Sequence, residues 1–276
     1  MKLHPKLVGI PHIYYINLED RIDRKEFMEN QFKKLGIENY TRVNASEFLK
    51  NDISTWEDKI YFASRIPDGV KRDGDYRRSA CISLTHMEVI RKWVEETSEE
   101  YMIIMEDDND LRLVNFWHFD WQYFMNNLPY DWDAVQLMYN SGRTIYCFLH
   151  PKTEITWNGP LLINREYAKK LISLYYFHGK YNFRKKMNRM DFPFYNLYGS
   201  RYRYVDVDDF LAFGGKVYQL PLFTTNPNLD LPPKQHHKKC RRAHVIWWTQ
   251  LRDKFTLEDF FTYGKPYDYQ MKIEIS

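Results

Sequence analysis

Apolar residues recur along the chain in two patterns, which predict alternating strands and helices. Nearly continuous apolar runs at 13–18 and 101–105 are typical of strands buried on both faces of a sheet. Residues 24–35 and 83–96 carry apolar side chains at helical spacing, and Gly36 is a common kind of helix stop. The other predicted elements are strands at 40–43, 133–138, 157–164 and 216–220, a helix at 165–176, and a short strand and helix within 204–213. This alternation predicts an α/β fold with a mostly parallel sheet flanked by helices.

Two segments lack a regular pattern. Residues 44–78 carry Pro67, Gly69 and Gly74 among charged side chains, and we predict that they are loop-rich. After Asn226 the chain becomes Pro-rich, basic and aromatic. We therefore predict one large domain over 1–226 and a loop-rich basic, aromatic C-terminal extension at 227–276 that packs on it.

Composition limits the classes of function. The chain has 276 residues, of which 44% are hydrophobic and 28% charged, so it can bury a substantial core and is not disordered. A net charge of only +3 is weak for a nucleic-acid-binding protein. The N-terminus lacks a signal-peptide pattern and the apolar runs are strand-sized. Three cysteines without a CxxC pair favour a reducing compartment. We expect a cytoplasmic protein with a basic face that could lie against a membrane.

Three consecutive acids, Glu106-Asp107-Asp108, follow the apolar strand 101–105. Such acids are costly to bury without partners, and hard divalent cations such as Mn²⁺ or Mg²⁺ bind carboxylate oxygens while leaving positions for phosphate. The alternative is a solvated acidic turn, which is common in proteins. The run itself favours neither interpretation over the other.

A parallel sheet brings other polar residues toward the same run. Ligands of such sheets lie beyond the carboxyl ends of the strands. This rule predicts that Asn17, the run 106–108 and the acids Asp206, Asp208 and Asp209 lie near one crevice.

Six segments in order resemble motifs of glycosyltransferase family 25, the lipopolysaccharide and procollagen galactosyltransferase type. In the notation of the family they are an "INL..R.DR" opening, a "GCxxSHxxxW" helix, "LEDD", a "WD" strand, "GxxxYxIS" and "VDxxL". The corresponding segments here are 16–24, 81–93, 104–108, 131–135, 159–164 and 207–211. Their order and spacing agree over roughly residues 12 to 226. This chain departs from the pattern at Ser79-Ala80, at Thr85 and at Leu161-Leu162, which replace a Gly, a Ser and a Tyr.

The resemblance implies a GT-A-type (Rossmann-like) fold and an inverting transfer of a hexose, galactose or glucose, from a UDP-sugar to a hydroxyl acceptor. The acceptor would be a glycan or a lipid-linked or protein-linked group. The divalent cation would be Mn²⁺ or Mg²⁺, held by Asp108 with Glu106 or Asp107, and Asp107 also counts among the donor-contacting residues. Asn17, Arg21 and Arg24 would line the nucleotide pocket. For the two arginines, ordinary surface charge at a helix start is the alternative.

The remaining roles are assigned less directly. An inverting transfer needs a general base, and Asp208 or Asp209 is the candidate, although one of them could cap the following helix. His86 could contact the donor or serve as a structural hydrogen-bonding group. His236 or His237 could add a metal ligand or lie in a solvated loop. The basic residues Lys234, Lys238, Lys239, Arg241 and Arg242 could clamp the anionic diphosphate or form a solvated basic loop.

Two other functions compete with the enzyme. The departures from the family pattern favour a catalytically degenerate module that binds a glycan or a nucleotide. A nucleic-acid-binding role for the basic C-terminal third lacks any recognised nucleic-acid motif, and we expect no nucleic-acid partner.

Overall fold

The computed structural model is an α/β protein with a central seven-stranded sheet. It describes residues 2–45, 58–60, 74–140, 144–146, 148–152, 157–182, 207, 211, 214–229, 235–261 and 272–274. The expected mostly parallel sheet flanked by helices is confirmed within these ranges.

The first three strands of the chain have five or six residues each, and the other described strands are shorter. In chain order they are β1 (His12–Asn17), β2 (Tyr40–Asn44), β3 (Tyr101–Glu106), β4 (Asn109–Asp110), β5 (Ala134–Gln136), β6 (Tyr139–Asn140), β7 (Thr144–Tyr146), β8 (His150–Pro151), β9 (Trp157–Asn158), β10 (Leu161–Asn164), β11 (Tyr176–Phe177), β12 (Lys180–Tyr181), β13 (Val217–Gln219), β14 (Thr224–Thr225) and β15 (Lys272–Glu274). The α-helices are α1 (Ile22–Leu35), α2 (Gly74–Glu96), α3 (Trp121–Asn126), α4 (Arg165–Tyr175), α5 (Gln235–Ile246) and α6 (Leu257–Phe260).

The central sheet has the strand order β2-β1-β3-β10-β5-β13-β8. Strands β2, β1, β3, β5 and β13 run in one direction, and β10 and β8 run against their neighbours. The carboxyl ends of the five co-directional strands therefore lie at one edge of the sheet. The last residue of β1, Asn17, and the first residue after β3, Asp107, meet at this edge.

Alternate side chains of the strands enter two separate hydrophobic clusters, one on each face of the sheet. In β3, Ile103 and Met105 belong to the cluster that contains Met28 and Phe32 of α1. Met102 and Ile104 belong to the cluster that contains residues of α2 and α4. Because both faces of β3 are covered, its run of apolar residues is continuous rather than alternating.

Among the described residues the predicted elements are largely confirmed, with three corrections. The strand and helix expected within 204–213 lie almost entirely outside the described residues. The C-terminal extension was expected to be loop-rich, but it is mostly helical between residues 235 and 260. The helix expected at 83–96 begins at Gly74, so the loop-rich interpretation of 44–78 is wrong for its last residues. The strand expected at 157–164 is divided into β9 and β10. Gly159 lies between them, and a Cβ atom there would come within 2.5 Å of the Met138 side chain.

The part of the C-terminal extension that the structure describes contributes to the core. A five-residue π-helix, Trp247–Leu251, continues α5. Trp247 and Trp248 are fully buried in the same cluster as Trp117 and Phe260. The indole Nε1 of Trp248 donates a hydrogen bond of 2.6 Å to the carbonyl oxygen of Pro221. Trp247, Trp248 and Phe260 are thus core residues, while the domain boundary at 226 stays a prediction.

None of the helices in the described ranges has the length and hydrophobicity required to cross a membrane.

Candidate functional site

Asn17 and the acidic run lie side by side because β1 and β3 are parallel neighbours. Ile16 pairs with Glu106 in this register, so the next residues, Asn17 and Asp107, both stand at the carboxyl ends of their strands. The amide Nδ2 of Asn17 donates a hydrogen bond of 2.7 Å to Oδ2 of Asp107. The prediction that Asn17 and residues 106–108 meet at one edge is confirmed.

Asp107 is the buried member of the acidic run, with 5% of its surface exposed. Its Oδ1 accepts a hydrogen bond of 2.7 Å from Nη1 of Arg24, which lies in the first turns of α1. Each carboxylate oxygen therefore has a fixed partner, one from the end of β1 and one from α1. This arrangement compensates a buried charge that would otherwise be strongly unfavourable.

Arg24 and Arg21 also bind a segment more than two hundred residues away. Nη2 of Arg24 lies 3.1 Å, and Nη2 of Arg21 2.9 Å, from the carbonyl oxygen of Leu229. Leu229 ends a short 3₁₀ helix, Pro227–Leu229. The two guanidinium groups thus hold this turn against the start of α1. Their role therefore goes beyond that of ordinary surface charges at a helix start.

The electrostatics of the two arginines differ with their burial. Burial of Arg24 acts to lower its pKa, but the charge and hydrogen bond of Asp107 outweigh this effect and the pKa is raised. Arg21 is more exposed and forms a two-pronged contact with Asp23, at 2.9 and 2.7 Å. The hydrogen bonds from Arg21 hold the pKa of Asp23 down at about 2. Both arginines stay charged at neutral pH.

Arg42 is a residue of this site that the sequence patterns did not single out. It lies in β2 beside β1, and its Nε donates a hydrogen bond of 2.9 Å to Oδ1 of Asn17. Its Nη2 is buried and has no hydrogen-bond partner within the described ranges. The sequence feature that could have indicated it is its position in β2, a short strand with several polar residues. A buried donor of this kind suits an anionic or carbonyl-bearing ligand.

Glu106 and Asp108 flank the buried Asp107 and remain partly exposed. Within the ranges that the structure describes, no group of three or more His, Cys, Asp or Glu side chains is arranged to hold a metal ion. Two carboxylates at a strand end are nevertheless a suitable donor set for Mg²⁺ or Mn²⁺, because such ions commonly take one or two carboxylates and complete their shell with phosphate and water. The chemistry of the donor set fits the expected ion.

The chain continues from the acidic run into a small ladder with β14. The backbone amide of Asn226 donates a hydrogen bond of 2.8 Å to the carbonyl oxygen of Asp108. Asp110 pairs with Thr224 across the β4–β14 ladder. The acidic run is therefore held in place by backbone contacts with 224–226 as well as by its side chains.

Asp110 is a fourth acid of this region. The sequence patterns did not single it out, although it lies two residues after the acidic run. Its buried carboxylate accepts hydrogen bonds from Nε and Nη2 of Arg112 and, at 2.6 Å, from Nη1 of Arg241 in α5. Burial acts to raise its pKa, but the bonds from Arg112 and the charge of Arg241 outweigh this and the pKa is lowered. One carboxylate thus holds two guanidinium groups.

His86 is buried in α2, with its Nδ1 2.9 Å from the carbonyl oxygen of Ile82 one turn earlier. This is the geometry of the structural alternative, and contact with a donor stays a prediction. Of the candidate site residues in the C-terminal third of the chain, the structure describes only some. Asp206, Asp208 and Asp209 lie outside the described residues, as does the side chain of His236, whereas His237 is buried in α5.

A comparison with models of known protein families and a search of curated proteins both find no match to this chain.

Proposed function

We propose that this protein is an inverting, metal-dependent glycosyltransferase with a GT-A-type fold, which moves a hexose from a UDP-sugar to a hydroxyl acceptor. The observation that carries the proposal is the arrangement of the acidic run at the carboxyl edge of the sheet. Asp107 is pinned by Asn17 and Arg24, and its neighbours Glu106 and Asp108 stay partly exposed. The ordered motifs described above supply the reaction class.

The pinned Asp107 explains why the run would suit a metal ion. A divalent ion stabilises the negative charge that develops on a departing diphosphate. Its carboxylate ligands must be held rigidly, and the end of a buried strand does this. Glu106 and Asp108 would be those ligands, while Asp107 fixes the backbone between them through α1 and β1.

The nucleotide would lie where β1, β2 and α1 meet. Asn17, Arg21 and Arg24 were expected there, and Arg42 adds a buried donor next to Asn17. The guanidinium groups of Arg21 and Arg24 are engaged with Leu229 and their carboxylates, so they would shape the wall of the pocket more than reach for phosphate.

In the transfer itself, the acceptor oxygen would attack the anomeric carbon as the bond to the diphosphate oxygen breaks. Asp208 or Asp209 would take the proton of the acceptor hydroxyl. Nucleoside diphosphate leaves with the bonding electron pair, and the sugar carries the new glycosidic bond. The configuration at the anomeric carbon inverts because attack and departure occur on opposite faces.

Thermal unfolding tests the donor class. The chain is heated with UDP, GDP or CMP, each with and without Mn²⁺. A ligand that binds only the folded state at about a hundred times its Kd raises the free energy of unfolding by about 2.7 kcal/mol. We expect the melting temperature to rise with UDP and only when Mn²⁺ is present. Absence of a rise with every nucleotide would contradict the proposal.

Hydrolysis of UDP-sugars in the same samples separates an enzyme from a binding module. Asp108→Asn should lower the metal-dependent rate by more than the roughly 10–100-fold that changes to outer-shell partners cost. Asp253→Asn is the matched control, because Asp253 is exposed and pairs with its neighbour Arg252. Nucleotide binding without any turnover would instead identify the degenerate module.

A further inference from the structure

A groove on the C-terminal side of the acidic run combines positive charge with a small apolar wall. It has a volume of about 340 Å³ and is lined by Pro227, Asn228, Lys238, Arg241, Arg242, Val245 and Ile246. Lys238, Arg241, Arg242 and Val245 recur at helical spacing along one face of α5. The 3₁₀ turn Pro227–Leu229 forms the opposite side. None of the lining residues that the structure describes is acidic.

Arg241, the central cation of the groove, is held in place by two hydrogen bonds. Arg241 donates to Oδ2 of Asp110 at 2.6 Å and to the carbonyl oxygen of Thr225 at 3.0 Å, and both bonds use Nη1. Because a guanidinium is rigid and planar, fixing one nitrogen also orients the other two. Arg241 is therefore pre-organised, which reduces the entropy lost when it binds an anion.

The charge of the groove is not cancelled by its buried acid. Asp110 is shared between Arg112 and Arg241, so this trio keeps a net charge of +1. Lys238 and Arg242 are exposed and add two further positive charges. The described residues of the groove, together with Asp110 and Arg112, thus carry a net charge of about +3. Such a charge attracts a compact, multiply charged anion, and phosphate is a biological group of this kind that guanidinium groups bind strongly.

The groove adjoins the expected metal site, but none of residues 106–108 is among the described residues that line it. Asn226 binds the backbone of Asp108, and the next two residues, Pro227 and Asn228, line the groove. Leu229, the residue after them, binds Arg21 and Arg24. The turn 226–229 thus has the acidic run and α1 on one side and the cationic face of α5 on the other.

From this geometry we infer that the groove is a phosphate-binding site that works without a metal ion. Its ligand is a phosphate or diphosphate group on a molecule other than the metal-bound donor. If the proposed transferase function holds, that molecule is a phosphorylated acceptor. The binding itself does not depend on that function, so each can fail without the other.

The experiment is calorimetric titration of the full-length chain with inorganic diphosphate in EDTA at low salt. We expect one site, whose affinity falls as sodium chloride is added because the exposed charges are screened. The double variant Lys238→Gln/Arg242→Gln should weaken binding by about tenfold or more, since charge-assisted hydrogen bonds are the strong ones. Its melting temperature should stay near that of the parent, because both side chains are exposed.

The matched control is Lys169→Gln/Lys170→Gln, which removes the same charge from two exposed lysines of α4. Equal weakening by both double variants would show nonspecific attraction and overturn the proposal. Binding that requires Mn²⁺ would assign the anion to the metal site and would also overturn it.

Sedimentation with vesicles distinguishes the source of the phosphate. Phosphatidylcholine vesicles with and without phosphatidate are mixed with the parent and with Lys238→Gln/Arg242→Gln. Phosphatidate-dependent sedimentation that the variant loses would support the site with a lipid headgroup as its ligand. Diphosphate binding without sedimentation would support it with a soluble phosphate. Absence of both would refute the site.

Discussion

Asp107 connects three parts of the chain that are remote in sequence. It follows β3, accepts a hydrogen bond from Asn17 at the end of β1, and forms an ion pair with Arg24 in α1. Arg24 then reaches the carbonyl oxygen of Leu229. A single carboxylate thus organises the carboxyl edge of the sheet. Its side-chain contacts help to fix the backbone of its neighbours Glu106 and Asp108.

Replacing Asp107 by Asn should destabilise the protein strongly. Buried Arg24 would lose its ion pair with this carboxylate, and the new amide would oppose a donor of either Asn17 or Arg24. Breaking a buried ion pair from one side costs about 3–5 kcal/mol. Urea unfolding should show a loss of this size for Asp107→Asn.

Asp23→Asn is the matched control for this change. Asp23 also pairs with an arginine, Arg21, but half of its side chain is exposed to solvent. Exposed pairs contribute about 0–1 kcal/mol, so this variant should change the free energy of unfolding little. Similar losses in the two variants would contradict the structural role given to Asp107.

At the scale of elements, Gly36 at the end of α1 both stops the helix and allows the N-terminal residues to pack closely against it. Gly36 was expected to end the helix, and it adopts the left-handed conformation with φ of 67°. Its amide donates to the carbonyl oxygens of Lys33 and Phe32, which satisfies the last turn. The N-terminal residues pack against it so closely that a Cβ atom would lie 2.4 Å from the carbonyl oxygen of Lys2.

Gly36→Ala should therefore lower the free energy of unfolding by more than the strain of a left-handed alanine alone would. Gly9 provides the comparison, because its φ is 85° and a Cβ atom added there would meet no other atom within 4 Å. Gly9→Ala should lose about 1–2 kcal/mol from conformation alone. Gly36→Ala should lose clearly more, because the N-terminal backbone must also move. Equal losses in chemical denaturation would show that the close contact with Lys2 is relieved without cost.

Much of this architecture was predictable because its signals are local. The apolar run of β3, the helical spacing of α1 and the stop at Gly36 each lie within a few residues, and all three are confirmed. Even the meeting of Asn17 with the acidic run follows from parallel strands ending at one edge.

The parts that were not predicted depend on contacts between distant segments. Nothing near Leu229 indicates that its carbonyl oxygen binds Arg21 and Arg24. Trp247 and Trp248 lie in an extension that was expected to be loop-rich and to pack on the domain, and nothing in its sequence indicates that both are fully buried in the core beside Trp117. The partner of Asp110, Arg241, is 131 residues away. Sequence patterns carry no information on such pairings until the fold brings them together.

On the scale of the whole molecule, buried polar groups should set its response to pH. Gln136, Gln219 and His150 are neighbours across β5, β13 and β8, and all three are buried. The Nε2 atoms of His150 and Gln219 lie 2.7 Å apart. Burial lowers the pKa of His150 from 6.5 to about 4. The folded state therefore keeps this imidazole neutral at pH values where the unfolded chain would protonate it.

The sign of the effect on stability follows from proton binding. Between pH 6.5 and about 4, the unfolded chain binds a proton that the folded state excludes, so the free energy of unfolding decreases as the pH falls. At about 1.4 kcal/mol per unit, the full contribution of His150 is about 3 kcal/mol. Asp110 and Asp23, whose pKa values are lowered, act in a separate range because their contributions are lost only below pH 3.8.

Urea unfolding at several pH values between 7 and 4.5 measures this contribution. His150→Gln removes the titrating group, so its free energy of unfolding should decline less over this range than that of the parent. His178→Gln is the matched control, because His178 is exposed. It should follow the parent curve. The same pH dependence in His150→Gln and in the parent would mean that His150 takes up its proton in the folded state, and that its burial does not govern the acid sensitivity of the protein.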